Sequence, residues 1–220
     1  MSSIHVLSQL AGEPRIRLVP EPSLDERTAE ELAASRQEIL AHPDLFDGPL
    51  LLLLEVTPTQ LLGYQGSYAH YRTIQRLGPE TALGLGAASV GLCISDGQGS
   101  ELWVKRASNV NDPDSWSYAV EGGVSDGAAG FRAAILQEAL EELGLQPEQL
   151  RDLSPRVLLA NEQGDAAYLS FSASLAPGAE IRLQEDEAVA YRWVQRPLLE
   201  LEVSPRIRDL YLSVRSYLPW

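Results

Sequence analysis

The chain has 220 residues, 45% of them apolar and 22% charged, enough for one generous core or one domain with a substantial extension. Its formal net charge of −14 argues against general binding to nucleic acid or an anionic membrane, because counterion release needs a basic face. LLLLEV at 51–56 is far too short to cross a bilayer, and Met1–Leu10 lacks the basic segment and apolar run of a signal peptide. A cytoplasmic protein is expected, with no membrane or nucleic-acid partner.

Residues 1–20 hold two short β-like runs, IHVLSQL and RIRLV, split by a turn at Gly12-Glu13-Pro14. Ser23-Leu24-Asp25-Glu26 has capping-box spacing and predicts a helix from about Leu24 to Ala41, with Leu32 and Leu40 on its apolar side and His42-Pro43 ending it. LLLLEV reads as a buried strand. GYQGSYAHYRT, alternating small and aromatic residues, reads as a strand beside a cleft. His70 there is a lone histidine, more often structural than catalytic, whereas Arg72 is a candidate for a phosphate or sugar contact.

After a changeover at Leu77-Gly78-Pro79, GLGAASVGLCIS predicts a strand whose small residues permit close backbone approach, and Asp96–Gly99 a hairpin into ELWVKRAS. Cys93, the single cysteine, has no partner for an internal disulfide and reads as a buried small hydrophobe. RVLLANEQ and AAYLSFSASL predict a strand pair around Gln163-Gly164-Asp165; AYRWVQ is a further strand, and Pro197 opens terminal helices. This order predicts an α/β (α+β) protein, a mixed sheet between helices.

The stretch Glu121–Leu145, EGGVSDGAAGFRAAILQEALEELGL, carries the chemistry. A glycine turn and short loop lead into a helix with Glu138, Glu141 and Glu142 at i, i+3 and i+4, crowded toward one side, while Leu136, Leu140 and Leu143 point toward a core. Like charges so close repel unless a cation lies between them, and hard carboxylate oxygens suit magnesium, usually shared with substrate phosphates. A glutamate-rich helix taken alone is also a common solvated face.

With the glycine turn upstream and Gly144 closing the helix, the stretch resembles the Nudix box, G-x5-E-x7-R-E-U-x-E-E-x-G-U. Gly123, Glu138, Glu141, Glu142, Gly144 and Leu145 fall in register, with Ala139 a weak match for the aliphatic position. Ala129 stands where the family has its first Glu and Gln137 where it has Arg, two partners that in the family brace loop against helix. Glu121 replaces the first residue of the usual Pro-Gly-Gly. The strand and loop LWVKRASNVNDPDSWSYAVEGG and the late DEAVAYRWVQ extend the resemblance. HPDLFDGPLLLLLEV, YRTIQRLG, the box Gln and Asn161-Glu162 are similar to Nudix pyrophosphatases that cleave UDP-glucose and UDP-galactose.

The resemblance implies a Nudix-type mixed-sheet α/β/α sandwich over 81–220, preceded by an α/β extension over 1–80 that is a candidate substrate lid or a structural cap. It implies an enzyme that uses magnesium, or manganese in its place, to split a nucleoside diphosphate sugar into a nucleoside monophosphate and a sugar 1-phosphate. Glu138, Glu141 and Glu142 would hold the metal. Glu138, Glu142, Glu162 and Glu187 are the catalytic candidates, with Glu162 or Glu187 as an added ligand or the general base. Arg72, Arg106, Gly122 and Gly123 are the substrate-binding candidates. Trp116, Tyr118 and Trp193 are candidates to stack on a base or to fill the core. The partners expected are the small nucleotide sugar and a second copy of the chain. Three alternatives stay open: a Nudix hydrolase of another nucleoside diphosphate derivative, an inactive nucleotide-sugar binding module, and an interaction protein whose acidic helix is only solvated.

Overall fold

The computed structural model describes residues 4–43, 45–78, 81–108, 112–161 and 166–220. In chain order these form β1 (Ile4–Gln9), β2 (Arg15–Leu18), α1 (Glu26–Ala41), β3 (Pro49–Val56), β4 (Gln60–Ser67), α2 (Tyr68–Leu77), β5 (Gly86–Ser95), β6 (Glu101–Arg106), β7 (Trp116–Tyr118), β8 (Val120–Gly123), α3 (Gly130–Leu143), β9 (Leu150–Asn161), β10 (Ala167–Leu175), β11 (Ala188–Val194), α4 (Pro197–Glu200) and α5 (Pro205–Arg215).

β5 is the hub of one mixed sheet ordered β1-β9-β10-β5-β3-β4-β2. It pairs in parallel with β10, from Ala88↔Ala167 to Ser95↔Ser174, and antiparallel with β3, β8 and β6; β7 and β11 flank β6. Nearly every residue of β5 is buried, as a strand covered on both faces requires. Its Ala88, Val90, Leu92 and Ile94 face the main core, where α3 supplies Phe131, Ile135, Ala139 and Leu143. Cys93 faces the opposite core, built from Trp103, Tyr118, Tyr168 and the α5 residues Ile207, Leu210, Tyr211 and Val214. Helices thus cover both faces of the sheet, as the sequence predicts. At Gly91 a Cβ would lie 1.6 Å from the Tyr168 hydroxyl, so only glycine admits that ring. Among the described residues no helix is long and apolar enough to cross a membrane.

Three expectations are corrected. The strand through GYQGSYAHYRT ends at Ser67 and continues as helix α2, because the side chain of His70 turns back to cap its start: Ser67 N donates to His70 Nδ1 at 3.1 Å. Helix α1 is capped by Asp25, whose Oδ1 accepts from Thr28 N at 2.8 Å, rather than by Ser23. Its inward stripe is Thr28, Leu32, Ser35 and Ile39, which leaves Leu40 exposed. The aromatic candidates fill the core, one of the two roles open to them: Trp116 and Tyr118 are buried, Trp103 stacks near Tyr118 at 5.6 Å, and Trp193 lies against the main core. The proposed turn at 163–165 lies outside the described residues.

Candidate active site

Local chemistry sets the ends of α3. Ala129, its N-cap, makes no side-chain cap; Asp126 Oδ1 instead accepts from Ala128 N at 2.8 Å and Ala129 N at 3.2 Å. At the other end Gly144 takes the left-handed conformation (φ 66°), which costs glycine least, and its N–H meets the carbonyl of Leu140. Arg182 N and Gln184 N then donate to the carbonyls of Leu143 and Glu142 at 2.8 and 3.0 Å. Those two bonds deliver the following turn, with Glu187, to the helix end, where Ala107 N holds the Glu187 carbonyl at 2.9 Å.

Glu138 and Glu142, one turn apart, are half-buried on the inward side of α3 with Ile135 and Ala139, while Glu141 is exposed and accepts from Gln137 Nε2 at 2.8 Å. The three glutamates therefore do not share one solvent face, and Leu140 is exposed (42%) where inward packing was expected. Glu138 lies across β8: a Cβ on Gly122 would come within 2.2 Å of its Cδ and Oε1. Gly123 is filled against in the same way by Leu50 Cδ2, at 2.7 Å. Both glycines thus make room for protein side chains.

Burial, then the charges of Glu141 and Glu187, push Glu138 up to about 7. Burial, then Glu138, Glu187 and Glu121, push Glu142 up to about 9 against the pull of Arg106. Burial also raises Glu187, with Arg106 opposing and Asp186 assisting. The structure therefore gathers Glu138, Glu142, Glu187 and Arg106. It places Arg72 elsewhere, on α2, donating to Glu38 of α1 at 3.1 Å. His70 is buried against Glu21 at 3.1 Å, a structural role. Glu162 lies outside the described residues.

The NUDIX domain profile matches residues 86–213. The chain belongs to the Nudix family. DR0079 from Deinococcus radiodurans shares this fold with a TM-score of 0.52 at 17% identity, over 76% of this chain and 98% of its own. RenU, a Nudix hydrolase from M. smegmatis, aligns with a TM-score of 0.45 at 21% identity, over 59% and 82% of the two chains. A MutT protein from Methanosarcina mazei aligns with a TM-score of 0.41 at 19% identity, over 57% and 89%. No curated protein matches the sequence.

In this Nudix chain the residue before the two glycines, Glu121, is a hub, a role that its departure from the usual Pro-Gly-Gly does not by itself specify. Its Oε2 accepts from Ser117 Oγ at 2.6 Å and from Arg206 Nη2 at 3.5 Å, and stands 3.9 Å from Arg106 Nη1. Arg206 also donates to Asp112 Oδ2 at 2.6 Å, tying α5 to the turn before β7. Burial would lower the Arg206 pKa, but Glu121 and Asp112 outweigh it and hold the guanidinium charged. A glutamate where the Nudix pattern has proline was the available signal.

Among the described residues no three His, Cys, Asp or Glu side chains stand close enough together to chelate a metal. The donor chemistry nevertheless fits a hard divalent cation. Half-buried carboxyls that repel one another are held protonated near neutrality, and a cation would displace those protons and relieve the repulsion.

Proposed function

We propose that the protein hydrolyses the pyrophosphate bond of a nucleoside diphosphate sugar, of the UDP-glucose or UDP-galactose type, to a nucleoside monophosphate and a sugar 1-phosphate. The observation that carries the reading is the half-buried cluster of Glu138, Glu142 and Glu187 with Arg106 beside it, inside a Nudix domain. Glu138 and Glu142 would hold magnesium, with Glu141 at the solvent edge, and the ion would neutralise phosphate oxygens and acidify water. Arg106 would bind the diphosphate. Glu187, on a turn separate from the helix, would take a proton from the attacking water, with Glu162 the alternative in that role.

The choice of a nucleotide sugar rests on the likeness of residues 42–56 and 71–78, of Gln137 and of Asn161-Glu162 to the UDP-sugar pyrophosphatases. The spacing of the helix carboxylates supports attack at phosphorus. Carboxylates one helical turn apart on one side cannot flank an anomeric carbon as a glycosidase requires. A panel of nucleoside diphosphate compounds with magnesium in ¹⁸O-labelled water tests the reading. Label in a phosphate product is expected, and label in free sugar overturns the mechanism. Saturable thermal stabilisation by a nucleotide sugar without turnover would instead identify a binding module.

A further inference from the structure

Residues 13–65 reach the loop that feeds α3 at several points. The side-chain amide of Gln65, on β4, donates to Ser125 O at 2.8 Å and accepts from Gly127 N at 3.2 Å, gripping the loop on both sides of Asp126. Leu51 N, on β3, donates to Val124 O at 2.7 Å. Glu13 Oε2 accepts from Arg132 N at 3.1 Å, in the first turn of α3. Gly127 completes the joint, since a Cβ there would lie 2.8 Å from Leu51 Cδ1 and 3.0 Å from Leu18 Cδ2.

The loop and helix supply only part of this bonding themselves, through Asp126. Ala129 has no capping group and the first turn of α3 holds no acidic residue, yet the opening N–H groups of a helix have no partner within it. Asp126 takes two of the N–H groups at this corner and Glu13 a third. The loop joins β8, whose Gly122 abuts Glu138, to α3, which carries Glu138, so a shift of the loop changes how the helix lies against that strand. We infer that Gln65 and Glu13 are positioning residues for the carboxylate site. The N-terminal extension holds the 124–132 segment in place, and that segment sets where Glu138 and Glu142 stand. A lid over substrate would have to leave the loop at each turnover, and the two-sided grip of Gln65 opposes that. The inference rests on the cluster being the active site as proposed above.

Four variants outside the cluster test it. Gln65→Leu removes both bonds, whereas Gln65→Glu keeps an acceptor for Gly127 N and loses the donor to Ser125 O. Glu13→Ala removes the acceptor at Arg132, and Glu13→Gln keeps one. Amide hydrogen exchange over 124–132 is measured on each, together with Mn²⁺ binding by titration of the metal alone, and kcat and KM on a nucleotide sugar with magnesium. Loss of one such bond corresponds to on the order of a 5-fold change. Gln65→Leu is expected to speed exchange at Gly127 by about 10-fold, weaken Mn²⁺ binding several-fold and lower kcat more than it raises KM. Gln65→Glu should fall between it and the parent, and Glu13→Gln should rescue most of what Glu13→Ala loses.

Unchanged exchange in Gln65→Leu and Glu13→Ala overturns the inference. So does faster exchange with parental Mn²⁺ affinity and turnover, and in that case the hydrolase reading stands. A parent that hydrolyses nothing but binds Mn²⁺, with the binding weakened in Gln65→Leu, leaves the brace intact and refutes the hydrolase. A parent that binds no Mn²⁺ overturns both.

Discussion

Replacing Glu142 with Gln should stabilise the metal-free protein, and do so only at neutral to alkaline pH. Glu142 titrates at about 9 in the fold against an ordinary 4.5. A folded pKa raised above the unfolded one leaves stability untouched below 4.5 and erodes it as pH climbs toward 9, by roughly 1.4 kcal/mol per unit. By about pH 8 the loss for a rigid, dry site is roughly 5 kcal/mol, and solvent reaching the half-buried group reduces it to about 2 kcal/mol. Glutamine matches the protonated side chain in shape and never ionises. In EDTA at about pH 8 the variant should therefore melt about 4–8 °C above the parent, a chain of this size gaining roughly 2–4 °C per kcal/mol. At about pH 5 the two should nearly coincide. Excess magnesium should raise the parent's Tm more than the variant's, since only the parent regains a compensated carboxylate. Thermal unfolding followed by circular dichroism across this range decides the matter. A constant difference between the two Tm–pH curves would refute the buried-charge reasoning.

Glu138→Gln should lower magnesium-dependent turnover by about 100-fold or more, and Glu141→Gln by less than about 10-fold, because Glu141 stands at the solvent edge in a bond with Gln137. Equal losses in steady-state assays would show that the two positions share one role. Gly122→Ala places a methyl against the flexible Glu138 side chain, so kcat should fall as for Glu138→Gln while Tm drops by no more than a few degrees, about 1 kcal/mol. A parental kcat would show that Glu138 need not lie there. Gln137→Arg alone should not raise kcat/KM, since it breaks the bond to Glu141 and finds only Ala129 at the family partner's place. Adding Ala129→Glu should improve on the single change, and identical values for all three proteins would deny the pair any role here.

The box helix was legible because its signals are local: the glutamate spacing and Gly144 survive into the fold. Its orientation was misread for a physical reason. Pattern reading sends leucines inward and glutamates out, but this helix inverts that rule, turning Glu138 and Glu142 in and leaving Leu140 out. Helix α2 was missed because a histidine at its third position performs the capping that Glu or Gln usually does. Gln65 and Glu13 carried no signal at all. Their partners lie 60 to 62 and 119 residues away in the chain, and an exposed polar side chain in a strand or turn announces no distant acceptor or donor.

The pairing of β1 with β9 has a consequence for how the chain is made. Gln9 lies opposite Val157, so the first strand emerges from the ribosome long before its partner exists. At roughly 5–20 residues per second, synthesis of the intervening stretch takes on the order of ten to thirty seconds. The hub strand waits similarly, since Ala88 needs Ala167 in parallel across a crossover that includes the box helix. During that interval the apolar residues of β5 have only their earlier neighbours β3 and, later, β6 and β8 to cover them. Folding of this sheet is therefore completed late in synthesis, and the nascent chain should depend on holding chaperones more than a protein built from sequential hairpins would.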